Sequence, residues 1–129
     1  MKTHRELHVW QKSMQLVVEI YKLVKLLPKE ETYALSDQMR RSAVSIPSNI
    51  AEGNARGSEK DFLRFLYISQ GSCAELETQL LICQQLGYIP SAELENVLRI
   101  NVEVSKMIRS FIEKIQKELA AKSQQVKSF

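Results

Sequence analysis

The sequence predicts an all-α fold, an antiparallel up-down-up-down four-helix bundle. Three observations carry this reading. Apolar residues recur at alternating spacings of three and four through four long stretches, the period of amphipathic helices. Glycine and proline are scarce, with four and three copies, and five of the seven fall between those stretches. No stretch alternates apolar and polar residues between turn signals, which removes sandwiches and barrels. At 129 residues the chain is the size of a single domain, 1–129.

The first helix is expected over about 6–27, ended by Pro28. One apolar row runs through Leu7, Trp10, Met14, Val17, Tyr21 and Val24. A second runs through Leu16, Ile20, Leu23 and Leu27, roughly 110° around the helix. A helix with two such rows has two packing neighbours, and the second row is assigned here to a contact between subunits. The second helix is expected over about 33–53, with Gly53 as its cap. Pro47 lies inside it, lacks the N–H that would bond the Ala43 carbonyl, and predicts a kink or a break.

The third helix is expected over about 58–87. Ser58 is its N-cap, acids occupy the first turn, and Gly87 ends it. Gly71, Ser72 and Ala74 are small residues in mid-helix, which points to another backbone close by. The fourth helix is expected over about 91–122 behind Pro90. Its inner row is Leu94, Val97, Asn101, Val104, Ile108, Phe111 and Ile115, and residues 123–129 are expected to fray.

Charge is informative by position. The chain carries a net +3. Residues 1–56 hold nine basic and six acidic side chains, and residues 57–129 hold nine of each. The surplus therefore belongs to the first half, which is where an anionic partner is expected. Within and just beyond it, Arg40, Arg41, Arg56, Lys60, Arg64 and Tyr67 form the predicted nucleic-acid-binding set. Lys60, Arg64 and Tyr67 make a basic and aromatic stripe suited to a phosphate backbone and a stacked base. Arg40 and Arg41 are the one adjacent basic pair.

A mixed row on the third helix, with Ser72, Glu75 and Gln79 among Phe65, Ile68, Ile82 and Leu86, is too apolar for solvent and too polar for a core. It reads as an interface. With Leu16, Ile20, Leu23 and Val44, the residues Ser72, Glu75 and Gln79 are the predicted subunit contacts.

Catalytic and metal chemistry are not expected. His4 and His8 stand on one helical face but lack the glutamate spacing of a zincin helix, and no Glu-x-x-His motif exists for a di-metal centre. The stretch 53–60 lacks the spacing of a phosphate loop. No cofactor, metal or small-molecule substrate is expected. Cys73 and Cys83, ten residues apart on one helix, stand about 15 Å apart, which excludes a disulfide between them. Met1 to Trp10 holds no apolar signal region and no membrane-length apolar run occurs, so a cytoplasmic, membrane-free protein is expected.

Several motifs together are distinctive. They are Leu7-His8-Val9-Trp10, the run from Arg40-Arg41-Ser42 through Pro47 to Ala51-Glu52-Gly53, Phe62-x-x-Phe65-Leu66, and Gly71-Ser72-x-x-Glu75-Leu76. From about Leu7 to Met107 the chain resembles the bacterial four-helix-bundle proteins associated with intervening sequences of 23S ribosomal RNA genes. A related branch is the accessory variability determinant of diversity-generating retroelements. The resemblance implies an up-down-up-down bundle assembled as a ring-shaped homopentamer. In the related branch it implies binding to nucleic acid and to a reverse transcriptase. Five copies would gather about +15 on one particle. The expected function is a non-enzymatic, homo-oligomeric adaptor for structured RNA or DNA, with a protein partner as a further expectation. The alternative is a structural or protein-partner module without nucleic-acid affinity.

Overall fold

The structure is a computed structural model and describes residues 3–127. Four α-helices account for most of it: α1 (His8–Val24), α2 (Leu35–Ala55), α3 (Glu59–Leu86) and α4 (Ser91–Lys127). Short 3-10 turns at His4–Glu6 and Lys29–Glu31 precede α1 and α2, and no strand occurs among the described residues. Each helix packs on its neighbours in sequence, and α1 closes the square against α4. The α1–α2 and α3–α4 connections share one end of the bundle, where the Tyr88 hydroxyl donates to the Glu31 carboxylate at 3.4 Å. The chain is thus the antiparallel bundle that its periodicity predicts.

Local chemistry explains the ends. α1 tightens behind Val24, with Leu26 and Leu27 N–H donating to the carbonyls of Leu23 and Val24, before Pro28 stops it. Ser58 caps α3, its hydroxyl accepting from Asp61 N–H at 3.1 Å. Gly87 closes α3 in the left-handed conformation at φ +69. Gly87 and Tyr88 N–H then take the carbonyls of Gln84 and Cys83, the paired bonds of a Schellman ending. α4 continues to Lys127, past the end near 122 that its apolar row suggests. The rest of the expected frayed tail, 128–129, lies outside the described residues, as do residues 1–2.

Three expectations are corrected. Leu16, Ile20 and Leu23 are not subunit contacts: they are 0%, 0% and 3% exposed, inside the bundle. α1 meets both α2 and α4, so the row pointing between those two helices is the buried one. The other row faces outward at Met14 (41% exposed) and Tyr21 (45%). Second, of the kink or break expected at Pro47, the break does not occur: α2 runs on to Ala55. Side chains supply donors on either side of it: Asn49 Nδ2 to the Ser45 carbonyl at 2.8 Å, and Ser69 Oγ of α3 to the Ile46 carbonyl at 2.9 Å.

Third, the two glycines exchange roles. Gly53 is no cap; it is buried two residues inside the end of α2. A Cβ placed there would lie 2.7 Å from Phe65 Cβ and 3.0 Å from Phe62 Cδ1. Gly71, where a close backbone is expected, has open space around it within the subunit.

The glycines give a paired test. Gly53→Ala forces α2 and α3 apart and is expected to lower stability by about 1–3 kcal/mol. Gly71→Ala removes backbone freedom without a clash and is expected to stabilise the isolated subunit by about 0.5–1 kcal/mol. Leu16→Ala, a truncation in the core, is expected to cost about 2–5 kcal/mol. Urea denaturation of the three variants checks all of these, and a near-neutral Leu16→Ala would place α1 wrongly.

Candidate nucleic-acid interface

The predicted cations do not form one patch. Arg40 and Arg41 stand in the first half of α2, and both reach Asp37, at 3.9 and 3.2 Å. Arg40 also donates to the Thr32 carbonyl at 3.3 Å. Arg41 remains 80% exposed. Arg56, Lys60 and Arg64 cluster at the other end, around the α2–α3 turn. Arg56 pairs with Glu52 at 2.7 Å and Arg64 approaches Asp61 at 3.6 Å. Both guanidinium groups lie over the ring of Phe65, at 5.2 and 4.7 Å from its centroid. Lys60 is exposed and has no ion pair.

Four of the nine cations of the first half, Lys22, Arg40, Arg41 and Arg56, thus carry a carboxylate from their own or a neighbouring turn. Lys12 of α1 extends the pattern, bridging to Glu103 of α4 at 3.0 Å. The Lys12 and Arg99 side chains on the Glu103 carboxylate hold its pKa below the usual range. Lys122 does the same for Glu59, tying the late part of α4 to the start of α3.

Among the described residues, Arg5, Lys25 and Lys29 of the first half lack an ion pair, and further unpaired cations lie on α3 and α4. Lys106 and Arg109 project from the middle of α4 without an ion pair among the described residues. Both line a cavity of about 330 Å³ between α3 and α4, together with Gln70 and Glu77. Its wall includes Asn101, which is only 2% exposed. Asn101 Nδ2 donates to the Cys73 carbonyl at 3.0 Å, while its Oδ1 is buried without a partner.

Tyr67 stands one turn before Gln70 on the same face of α3, half exposed, its hydroxyl accepting from Gln116 Nε2 at 2.6 Å. Tyr67, Lys106 and Arg109 therefore share the seam of α3 and α4, and Lys60 stands two turns before Tyr67 on the same face of α3. Sequence reasoning finds Lys60 and Tyr67 but misses Lys106 and Arg109, because it places the charge surplus in the first half without the ion pairs that neutralise it. It also misses the orphan acceptor of Asn101, although a lone amide in an otherwise apolar helical row is a legible signal.

A second polar groove lies between α2 and α3, about 240 Å³, lined by Gln38, Arg41, Ser45, Ser72, Glu75 and Gln79. Ser72 is buried, and its hydroxyl lies 2.8 Å from that of Ser45. Gln79 is 9% exposed with an unpartnered Oε1. Glu75 is exposed, and Ile68, Ile82 and Leu86 continue its row as exposed apolar residues. Val44 lies around α2, in an apolar groove against Met14 and Trp10 of α1. Several motif residues of the sequence, from Arg41 to Glu75, thus converge on the α2–α3 groove.

The family model of the 23S rRNA-intervening sequence proteins matches residues 5–110. The chain belongs to that family. It is also similar to a crystal structure from Bacteroides thetaiotaomicron VPI-5482, described as a protein of unknown function from the S23 ribosomal protein family. The two are 31% identical with a TM-score of 0.75, over 81% of this chain and 97% of that one. No curated protein matches. The family match ends at residue 110, so the last turns of α4, with the Gln116–Tyr67 and Lys122–Glu59 contacts, lie beyond it. No helix among the described residues is long and apolar enough to cross a membrane.

The cysteines are free and buried, and burial pushes the Cys73 thiol up to about 12 and the Cys83 thiol up to about 11. Thiolate is the reactive form, so at pH 8 both are expected to react with a disulfide reagent at least 100-fold slower in the native protein than in urea. Rapid native labelling of either thiol would contradict their burial.

Proposed function

We propose that this family member is a non-enzymatic, homo-oligomeric adaptor that binds structured RNA along the α3–α4 groove. One observation carries the reading: Lys106 and Arg109, without ion pairs among the described residues, line a groove one turn from the half-exposed ring of Tyr67. Free cations release counterions on meeting a phosphate backbone, whereas an arginine already held by its own carboxylate must first give up that partner. Tyr67 offers a face for a splayed base. The family's association with ribosomal RNA intervening sequences supports RNA as the polymer.

Assembly is supported by the apolar residues left outside the bundle. Met14, Val18 and Tyr21 form one exposed row on α1, and Ile68, Ile82 and Leu86 form another on α3. These are two different surfaces, and contacts between them repeat head to tail and close into a ring. Five copies is the number the family resemblance implies. The α2–α3 groove, with Glu75 and the orphan Gln79 acceptor between apolar residues, favours protein over phosphate as its occupant. The protein acts in the cytoplasm in this reading.

Fluorescence anisotropy with a labelled RNA hairpin tests the groove. Affinity is expected to fall about tenfold or more between 50 and 200 mM salt. Lys106→Glu with Arg109→Glu is expected to flatten the logarithmic salt slope by about 2, while Arg41→Glu leaves it nearly unchanged. Absence of binding at about 50 mM salt removes the reading. Light scattering is expected to give about five times the 14.8 kDa chain mass, and a monomer would remove the assembly.

A further inference from the structure

We infer that the subunits of the assembly stand with α2 toward the ring axis and α4 on the outside, each copy laying its α1 face on the α3 face of the next. The inference rests on the homo-oligomeric reading and names the surfaces that meet and the way each subunit is turned. Its basis is the direction in which two exposed rows lean. α1 and α3 occupy opposite corners of the bundle, since each packs on α2 and α4. Met14 of α1 is exposed and lines the apolar groove against Val44 and Pro47 of α2. Tyr21, seven residues on, continues that side of the helix. Lys12, which bridges to Glu103, marks the α4 side of α1. On α3 the exposed row is Ile68, Glu75, Ile82 and Leu86. Glu75 lines the α2–α3 groove beside Arg41, and Glu77 marks the α4 side of α3.

Both rows therefore lean from their corners toward α2. A subunit of a closed ring is a wedge, and its two contact faces both tilt toward the axis. The helix between two such faces is the inner one, so α2 lines the bore. Arg41 and Ser48, two turns apart on one side of α2, are exposed there. α4 turns outward with Lys106 and Arg109, which keeps the α3–α4 groove open to a polymer.

The two faces match in charge and in height. From Phe65 to Leu86 the charged residues of α3 are Glu75 and Glu77, and neither has an ion pair among the described residues. From His8 to Lys25 three lysines stand against one glutamate. The faces are opposite in sign, which favours one copy's α1 on another's α3 over either face on itself. Rotation about an axis along the bundle keeps each residue at its own height. Val17 shares a groove with Val44, so Tyr21, one turn along α1, stands level with Arg41 on the antiparallel α2. Arg41 in turn shares its groove with Glu75. Tyr21 of one copy thus meets Glu75 of the next, and the exposed Lys25 follows one turn beyond. Gly71, between Ile68 and Glu75 on the same face, has open space around it, which gives the neighbouring helix room to approach.

The test uses the full chain with one nitroxide label per subunit, at Ser48→Cys on α2 or at Arg109→Cys on α4. Both positions are exposed, and the native cysteines are buried. Label-to-label distances are read by pulsed electron paramagnetic resonance in the assembled protein. Helices across the diagonal of a bundle stand about 13 Å apart, so neighbouring Ser48 labels are expected about 15 Å or more closer than neighbouring Arg109 labels. A chain carrying both Tyr21→Cys and Glu75→Cys is expected to give a ladder of covalent oligomers on oxidation, whereas Tyr21→Cys with Arg109→Cys gives none. Arg109 labels as close as the Ser48 labels, or closer, overturn the arrangement and leave the assembly standing. So does a missing Tyr21–Glu75 ladder. A parent ring that Ser48→Cys dissociates places Ser48 in a contact and overturns the arrangement as well. Light scattering separates the levels: a monomeric parent removes the assembly and the arrangement together.

Discussion

The close approach of α2 and α3 at Gly53 is the constraint on which the rest of the bundle depends. A hydrogen in place of a methyl group lets the Phe65 and Phe62 side chains of α3 lie directly against the α2 backbone. Further along the same pair of helices, small polar residues join the apolar core. Ser69 bonds the Ile46 carbonyl, and Ser45 meets Ser72. A proline inside a helix frees a carbonyl and crowds a turn, at a cost of about 3 kcal/mol. Close, hydrogen-bonded packing on α3 holds α2 continuous through Pro47 against that cost. The same geometry brings Arg56 and Arg64 over the Phe65 ring, so cation–π contacts hold the α2–α3 turn.

Electrostatics then divides the surface differently from the sequence. Net charge by segment counts every lysine and arginine equally. The folded chain discounts those with a carboxylate three or four residues away, as at Asp37 and Glu52, and those with a cross-helix partner, as Lys12 has in Glu103. Such surface pairs add little stability, on the order of 0–1 kcal/mol each, yet they decide which cations face solvent unopposed. By that measure the middle of α4 is the more open basic surface, although its half of the chain is neutral overall.

The helices were legible because their cause is local. Apolar period, a serine N-cap at Ser58 and a left-handed glycine at Gly87 act within a few residues and need no tertiary information. Which of two apolar rows on α1 is buried was not legible, because that choice belongs to the neighbours: α2 and α4 flank the row of Leu16, Ile20 and Leu23. The glycines show the same limit. Gly53 reads as a helix cap and Gly71 as the close approach, and only the position of Phe65 on another helix tells a close contact from open surface. Of the residues proposed for binding, Lys60 and Tyr67 were legible as a stripe on α3. Lys106 and Arg109 were not, because their significance comes from what fails to pair with them and from the cavity that α3 and α4 enclose.

Asn101 joins these levels. Its amide N–H on the Cys73 carbonyl ties α4 to α3 at one height, a polar pair in an apolar seam of the kind that sets helix register. A shift of α4 by one turn would break that bond and bury both groups unpaired, at a cost of about 1–3 kcal/mol for each. Register therefore follows from a single hydrogen bond as well as from apolar packing. The bond uses only half of the amide. Leucine at this position would pack the seam without leaving an orphan carbonyl, so apolar packing alone gives no reason for an asparagine. Register supplies that reason, through the N–H bond to the Cys73 carbonyl.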